Sequence, residues 1–115
     1  MSTVVPTIVD GEGHTVVVTW VLGTGDDGEP VRYAGAADRT VQIFGTFGGA
    51  TVTMQGTLEN VATTWAPVTD PQGNAIAATG ATIEAITELV RQIRPVVTGG
   101  SGSSITVLLL MRQTR

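Results

Sequence analysis

Apolar and polar residues alternate with a period of two through most of this chain, the spacing of strands that bury one face. The alternation predicts strands at residues 3–9, 14–22, 39–45, 50–57, 63–69, 92–98 and 104–112. Gly-bearing segments punctuate them: Gly11-Glu12-Gly13, Gly23 to Pro30, Gly48-Gly49, Asp70-Pro71-Gln72-Gly73-Asn74 and Gly99-Gly100-Ser101-Gly102. Each supplies residues that accept positive φ or pre-set a turn. Short strands at this spacing predict an all-β fold, an antiparallel β-sandwich of jelly-roll type. No repeat and no linker divides residues 1–115, so the chain reads as one domain, with 1–9 as an N-terminal arm or edge strand.

Parity assigns the faces. Val16, Val18, Trp20 and Leu22 point to the core from one strand, Val41 and Ile43 from the next, and Val52 and Met54 from a third. The final strand differs, because Ile105, Val107, Leu109 and Met111 alternate with Thr106, Leu108 and Leu110. Either that strand is central and covered on both sides, or its second face is an interface, and Phe44 beside Thr40 and Gln42 raises the same question. From Thr82 to Ile93 the period changes: Ile83, Ile86, Leu89 or Val90, and Ile93 recur at helical spacing, with Thr82 as a cap and Pro95 as a stop. This predicts a short helix at about residues 82–91, with an extended strand from about Ile83 to Ile86 as the rival.

Composition sharpens the picture. Charged residues make up 14% of the 115 positions, against about 25% in ordinary soluble domains. There are 19 Thr and no Lys. A surface of Thr, Gly, Ala and some Val tolerates being covered by a second copy or by another protein. Net charge is −4 and all six cationic residues are Arg, which leaves no basic patch to neutralise a run of phosphates, so no nucleic-acid partner is expected. No apolar stretch approaches the ~18 residues of a membrane span, and the N-terminus lacks a charged start and apolar run, so no membrane partner is expected and synthesis is expected in the cytoplasm. With no Cys, disulfide frameworks, zinc-thiolate sites and thiol catalysis are excluded.

Catalytic chemistry finds little to stand on. His14 is the sole histidine and lies on the parity of Val16 and Val18, while serine nucleophiles could come only from Ser2, Ser101, Ser103 and Ser104. Asp26, Asp27 and Glu29 offer oxygen ligands for calcium, but their spacing does not match an EF-hand and no second ligand segment is identifiable in the sequence; an acidic Gly-rich turn is the commoner explanation. Val97 to Ser104 is not a phosphate loop, since no Lys follows, and reads as a flexible hairpin tip. Hence no enzyme, cofactor or metal is expected. Arg32, Arg39, Arg91 and Arg94 suit bidentate pairing with carboxylates across a protein interface, and with Phe44, Leu108 and Leu110 they form the candidate interface set.

Three segments carry a family resemblance: Asp38 to Thr57, Trp65 to Ala75, and Ile93 to Gly100. With the closing apolar strand, residues 38–112 resemble small virion proteins encoded in tailed-phage structural gene clusters. The resemblance implies a jelly-roll sandwich that decorates or cements the outer surface of a phage capsid, as a homodimer bridging neighbouring major capsid proteins. It carries over no catalytic residues. The competing reading is a carbohydrate-binding sandwich of a phage tail or secreted protein, for which Trp20, Tyr33, Phe47 and Trp65 are the stacking candidates. An aromatic content of 4% and the core parity of Trp20 count against it.

Overall fold

The computed structural model describes residues 3–10, 15–32 and 38–112. The strands are β1 (Thr3–Val4), β2 (Thr7–Asp10), β3 (Thr15–Gly23), β4 (Asp27–Gly28), β5 (Asp38–Thr46), β6 (Thr51–Thr57), β7 (Ala66–Pro67), β8 (Ala77–Ala78), β9 (Thr82–Ala85), β10 (Gln92–Thr98) and β11 (Ser104–Arg112). Among the described residues there is no helix. Two sheets form a sandwich: a six-stranded one ordered β1-β4-β10-β6-β7, with β8 also on β6, and a five-stranded one ordered β2-β3-β11-β5-β9. From β3 onward the chain changes sheet at β4, β5, β6, β9, β10 and β11 in turn. That to-and-fro path is the jelly-roll winding expected from the alternation.

The two inner faces interdigitate as parity requires. Val18, Trp20 and Leu22 of β3, Val41 and Ile43 of β5, and Ile105, Val107, Leu109 and Met111 of β11 meet Val52 and Met54 of β6 and Ile93 and Val97 of β10, all buried. The Trp20 indole carries its one donor into this layer and gives it to the Glu29 carbonyl at 3.1 Å. Above the indole lies Gly28. A Cβ there would stand 2.5–2.7 Å from Pro95 Cδ and Cγ and from Trp20 Nε1, so the packing of β4 on the core requires glycine.

The helix expected at 82–91 does not form. Thr82–Ala85 is strand β9, paired antiparallel with β5 (Thr40↔Ala85, Gln42↔Ile83), as the rival reading had it. Beyond it the backbone donors bond to residues far away in sequence: Ile86 N to Arg39 O at 3.0 Å, Thr87 N to Thr69 O at 2.9 Å, and Arg91 N to Thr57 O at 2.9 Å. Ile83 and Leu89 face outward while Ile86, Val90 and Ile93 are buried, so the helical stripe splits between two sides of an extended segment. Of the expected strand 63–69, only Ala66–Pro67 and a bridge from Thr69 to Ala75 are in the sheet.

The tip at 99–103 is pinned to its neighbour. Ser101 N bonds Gly48 O at 3.0 Å, the Ser103 hydroxyl donates to Phe47 O at 2.7 Å, and Ser103 N bonds the Thr24 hydroxyl at 3.1 Å. The β5–β6 and β10–β11 turns thereby clasp each other, in place of the flexible tip expected from composition.

Candidate functional site

Because β11 lies between β3 and β5, its outward side chains occupy the middle of the five-stranded sheet's outer face. The register writes out that face in rows. Val9, Val17, Leu110, Thr40 and Ala85 form one; Thr7, Thr19, Leu108, Gln42 and Ile83 the next; Val21, Thr106 and Phe44 the third. None of these residues is charged. Charge enters only in the end row, where Arg112 pairs with Asp38, its Nε donating to Asp38 Oδ2 at 3.0 Å. Ile83 is 62% exposed, Val21 59%, Val9 57%, Leu110 44% and Phe44 37%. No element of the described chain covers this face. It is an uncharged surface on which apolar side chains alternate with threonines and Gln42. The strand is therefore central, as one alternative required, and its second face open, as the other did.

The arginines do not join this patch. Arg39 is buried on the core side of β5, where it donates to Val90 O at 3.1 Å, and desolvation lowers the pKa of its guanidinium. That corrects the expectation of Arg39 as a surface contact: it shares the parity of Val41 and Ile43, and so its long side chain enters the end of the core. Arg94 lies on the outer face of the six-stranded sheet. Its Nε and Nη2 donate to Gln55 Oε1 at 3.1 and 2.9 Å, Asp27 stands 4.0 Å from Nη1, and the guanidinium lies 4.2 Å over the Trp65 ring. Arg32 is exposed and bonds the Asn60 side chain at 3.0 Å and the Asn60 carbonyl. Arg91 is also exposed. The seven interface candidates thus divide: Phe44, Leu108 and Leu110 share one face, and the arginines lie elsewhere.

Other candidate chemistry is spent on structure. Asp26 Oδ2 accepts from Gly23 N at 2.8 Å and closes its own turn, whereas Asp27 stands beside Arg94, so the loop carboxylates serve different partners. Among the described residues no three His, Asp or Glu converge as metal ligands. His14, Tyr33 and Ser2 lie outside the described residues. Among the described candidates for stacking, Trp20 is in the core, Phe47 packs against it, and one face of Trp65 is taken by Arg94. Beside β6 an apolar groove of about 710 Å³ runs between Leu58 and Leu89. Two carboxylates flank it. Glu59 accepts the Thr63 and Thr64 amides at 2.8 and 2.7 Å, and Glu88 accepts the Thr69 amide at 2.7 Å and its hydroxyl. These accepted bonds hold both carboxyls below their ordinary pKa, through the Thr63 amide first for Glu59 and the Thr69 hydroxyl first for Glu88.

No protein-family model and no curated protein sequence matches the chain. Solved structures do. The SPBc2 prophage-derived protein YomS superposes with a TM-score of 0.67 at 14% identity, over 91% of this chain and 98% of that one. A cupin domain from Bordetella pertussis Tohama I gives 0.52 at 12%, over 99% and 96%. An RmlC-like cupin protein from Desulfovibrio desulfuricans gives 0.56 at 10%, over 96% and 82%. At these identities the likeness shows the fold: an all-β sandwich of the cupin and jelly-roll type. The sandwich interior, lined by Trp20, Ile43, Met54, Ile93, Ile105 and Leu109, offers neither carboxylate nor imidazole, so the described lining does not fit a bound metal ion.

Proposed function

We propose that this protein is a non-catalytic virion component that decorates and stabilises an assembled phage head by bridging neighbouring major capsid subunits. The observation that carries the reading is the outer face of the five-stranded sheet, whose three central rows hold apolar residues, threonines and Gln42 but no charged residue, with Leu108 and Leu110 at their middle. A sandwich filled to its centre supplies a rigid body, and its chemistry lies on its outside. The resemblance of residues 38–112 to tailed-phage virion proteins supports the setting, as does a prophage-derived structural neighbour. A small contact repeated over a symmetric shell holds strongly through multivalency even when each copy binds weakly. Candidate shell contacts are β1, the Gly23–Pro30 loop and the exposed Arg91, and contacts with so few charges are expected to depend moderately on salt.

The test mixes purified protein with undecorated particles, counts the copies retained per shell and challenges the shells with heat. Saturable binding that raises the temperature of shell rupture supports the reading. Absence of binding overturns it, and retention on a glycan array instead would favour the sugar-binding alternative.

A further inference from the structure

We infer that the free edge of β9 is a docking site for an extended segment of a partner protein, added to the five-stranded sheet as a further strand and carrying a Lys or Arg where it passes Glu84. The site is the edge of that sheet and not its outer face, and it does not require a capsid.

The backbone defines the edge. Strand β9 ends the order β2-β3-β11-β5-β9, so one of its sides has no neighbouring strand. Antiparallel partners alternate between pairs that exchange hydrogen bonds and pairs that do not. Ile86 N donates to Arg39 O at 3.0 Å, and the register continues through Val41↔Glu84 and Ile43↔Thr82, so Thr82, Glu84 and Ile86 bond to β5. The N–H and C=O groups of Ile83 and Ala85 therefore point away from the sheet. Thr87 N, the next donor on that side, is taken by Thr69 O at 2.9 Å, which ends the open stretch. Among the described residues no strand or turn bonds to Ile83 or Ala85 on that side. Two donors and two acceptors in line are a template for strand addition.

Side chains select the occupant. In an added strand, residues opposite Ile83 and Ala85 turn outward, and residues opposite Thr82 and Glu84 turn inward. Outward lies exposed Ile83, which an apolar side chain would cover. Inward lies a cavity of about 390 Å³ with Glu84 and Asp70 in its wall. Asp70 Oδ1 accepts the Gln72 and Asn74 amides, both at 3.0 Å, and Glu84 Oε2 accepts the Thr82 hydroxyl at 3.0 Å. Neither carboxylate is in the ion pairs among the described residues, which are Arg94–Asp27 and Arg112–Asp38. A cationic side chain entering from an added strand would meet both. The same charge bars a second copy. Pairing β9 with its own counterpart so that Ile83 meets Ala85 sets Glu84 directly against Glu84, on chains that each carry a net charge of −4. The occupant is therefore a strand of another protein that alternates apolar and basic residues.

The probe is the end-blocked peptide Val-Lys-Val-Lys-Val, with Val-Glu-Val-Glu-Val as its control, each titrated into the full chain and followed by amide NMR and hydrogen exchange. In the free chain the Ile83 and Ala85 amides are expected to exchange at least tenfold faster than those of Glu84 and Ile86, and to slow at least tenfold on saturation with the Lys peptide. Ala85→Pro removes an N–H that the pairing with β5 does not use, and is expected to weaken the Lys peptide at least tenfold while circular dichroism stays that of wild type. Glu84→Gln leaves the backbone intact and is expected to weaken it about fivefold. Equal affinity for the two peptides overturns the inference, and so does the absence of any shift at Ile83 and Ala85 with millimolar peptide. Protection of those amides that grows with concentration of the chain alone assigns the edge to a second copy and overturns it too. A chain that binds the peptide but not shells overturns the capsid reading alone; one that saturates shells but ignores the peptide overturns this inference alone.

Discussion

Gly28→Ala is expected to destabilise the fold out of proportion to the one methyl it adds. The new Cβ would meet Pro95 Cδ at 2.5 Å, Pro95 Cγ at 2.6 Å and Trp20 Nε1 at 2.7 Å, each about 1 Å inside ordinary contact. Neither neighbour can yield cheaply: Pro95 is a buried ring within β10, and Trp20 is fully buried. Overpacking of this kind costs about 1–3 kcal/mol. If the indole shifts, its bond to Glu29 O is lost as well, about 1 kcal/mol more. The sum, about 2–4 kcal/mol, corresponds to a fall in Tm of roughly 8–16 °C for a chain of this size. Gly80→Ala is the control, because nothing lies within 4 Å of its Cβ position and its φ is outside the left-handed region. There the loss of unfolded-state freedom is expected to stabilise by about 0.4–1 kcal/mol. The assay is urea unfolding followed by tryptophan fluorescence, with near-ultraviolet circular dichroism reporting the Trp20 environment. Equal midpoints for the two variants would refute the packing argument.

Leu109→Ala is expected to cost about 2–5 kcal/mol in the same assay and Leu110→Ala less than about 1 kcal/mol at concentrations where the chain is monomeric, since only Leu109 points into the core. Arg94→Ala is expected to cost about 1–2 kcal/mol and to change Trp65 emission, through loss of the ring contact and the two bonds to Gln55. Glu59 and Glu88 have folded pKa values below their unfolded ones, so their stabilisation is complete above the unfolded carboxyl pKa of about 4.3 and is lost as pH falls through the folded values. Glu59→Gln and Glu88→Gln should therefore flatten the acid limb of a stability-against-pH curve measured from pH 7 down to pH 2; an unchanged limb would show that these carboxyls are not linked to folding.

Most of the sandwich was legible because a buried face imposes period two. The strands 92–98 and 104–112 formed with the expected bounds, and the parity of Val16 to Leu22 placed Trp20 in the core. Parity also held the signal for Arg39, two residues before Val41, but a guanidinium at a strand end invites a surface reading. The stretch 82–91 misled because apolar spacing does not say which side each residue faces. Ile83 belongs to the open face and Ile86 to the core, and only pairing with β5 separates them. The two-residue strands β1, β4, β7 and β8 are too short to leave a periodic trace. Of the candidate site, Phe44, Leu108 and Leu110 could be named from their parity, whereas Val21, Ile83 and Val9 joined them only through a register set by strands far away in sequence.

The winding of the chain has a consequence for biogenesis. Strand β3 is synthesised early, yet its pairing partner toward the middle of the sheet is β11, with Thr15 set against Arg112 and Gly23 against Ser104. Until β11 has left the ribosome, β3 and β5 have no strand to join them, and Val18, Trp20, Val41 and Ile43 lack the neighbours that Ile105, Val107, Leu109 and Met111 supply. Folding must therefore wait for a loop closure spanning most of the described chain, which makes it slow and leaves a sticky nascent hairpin exposed to neighbouring chains. A protein made in many copies at once would feel that delay as a need for chaperone capacity, and trimming even a few residues from β11 would be felt in yield before it was felt in binding.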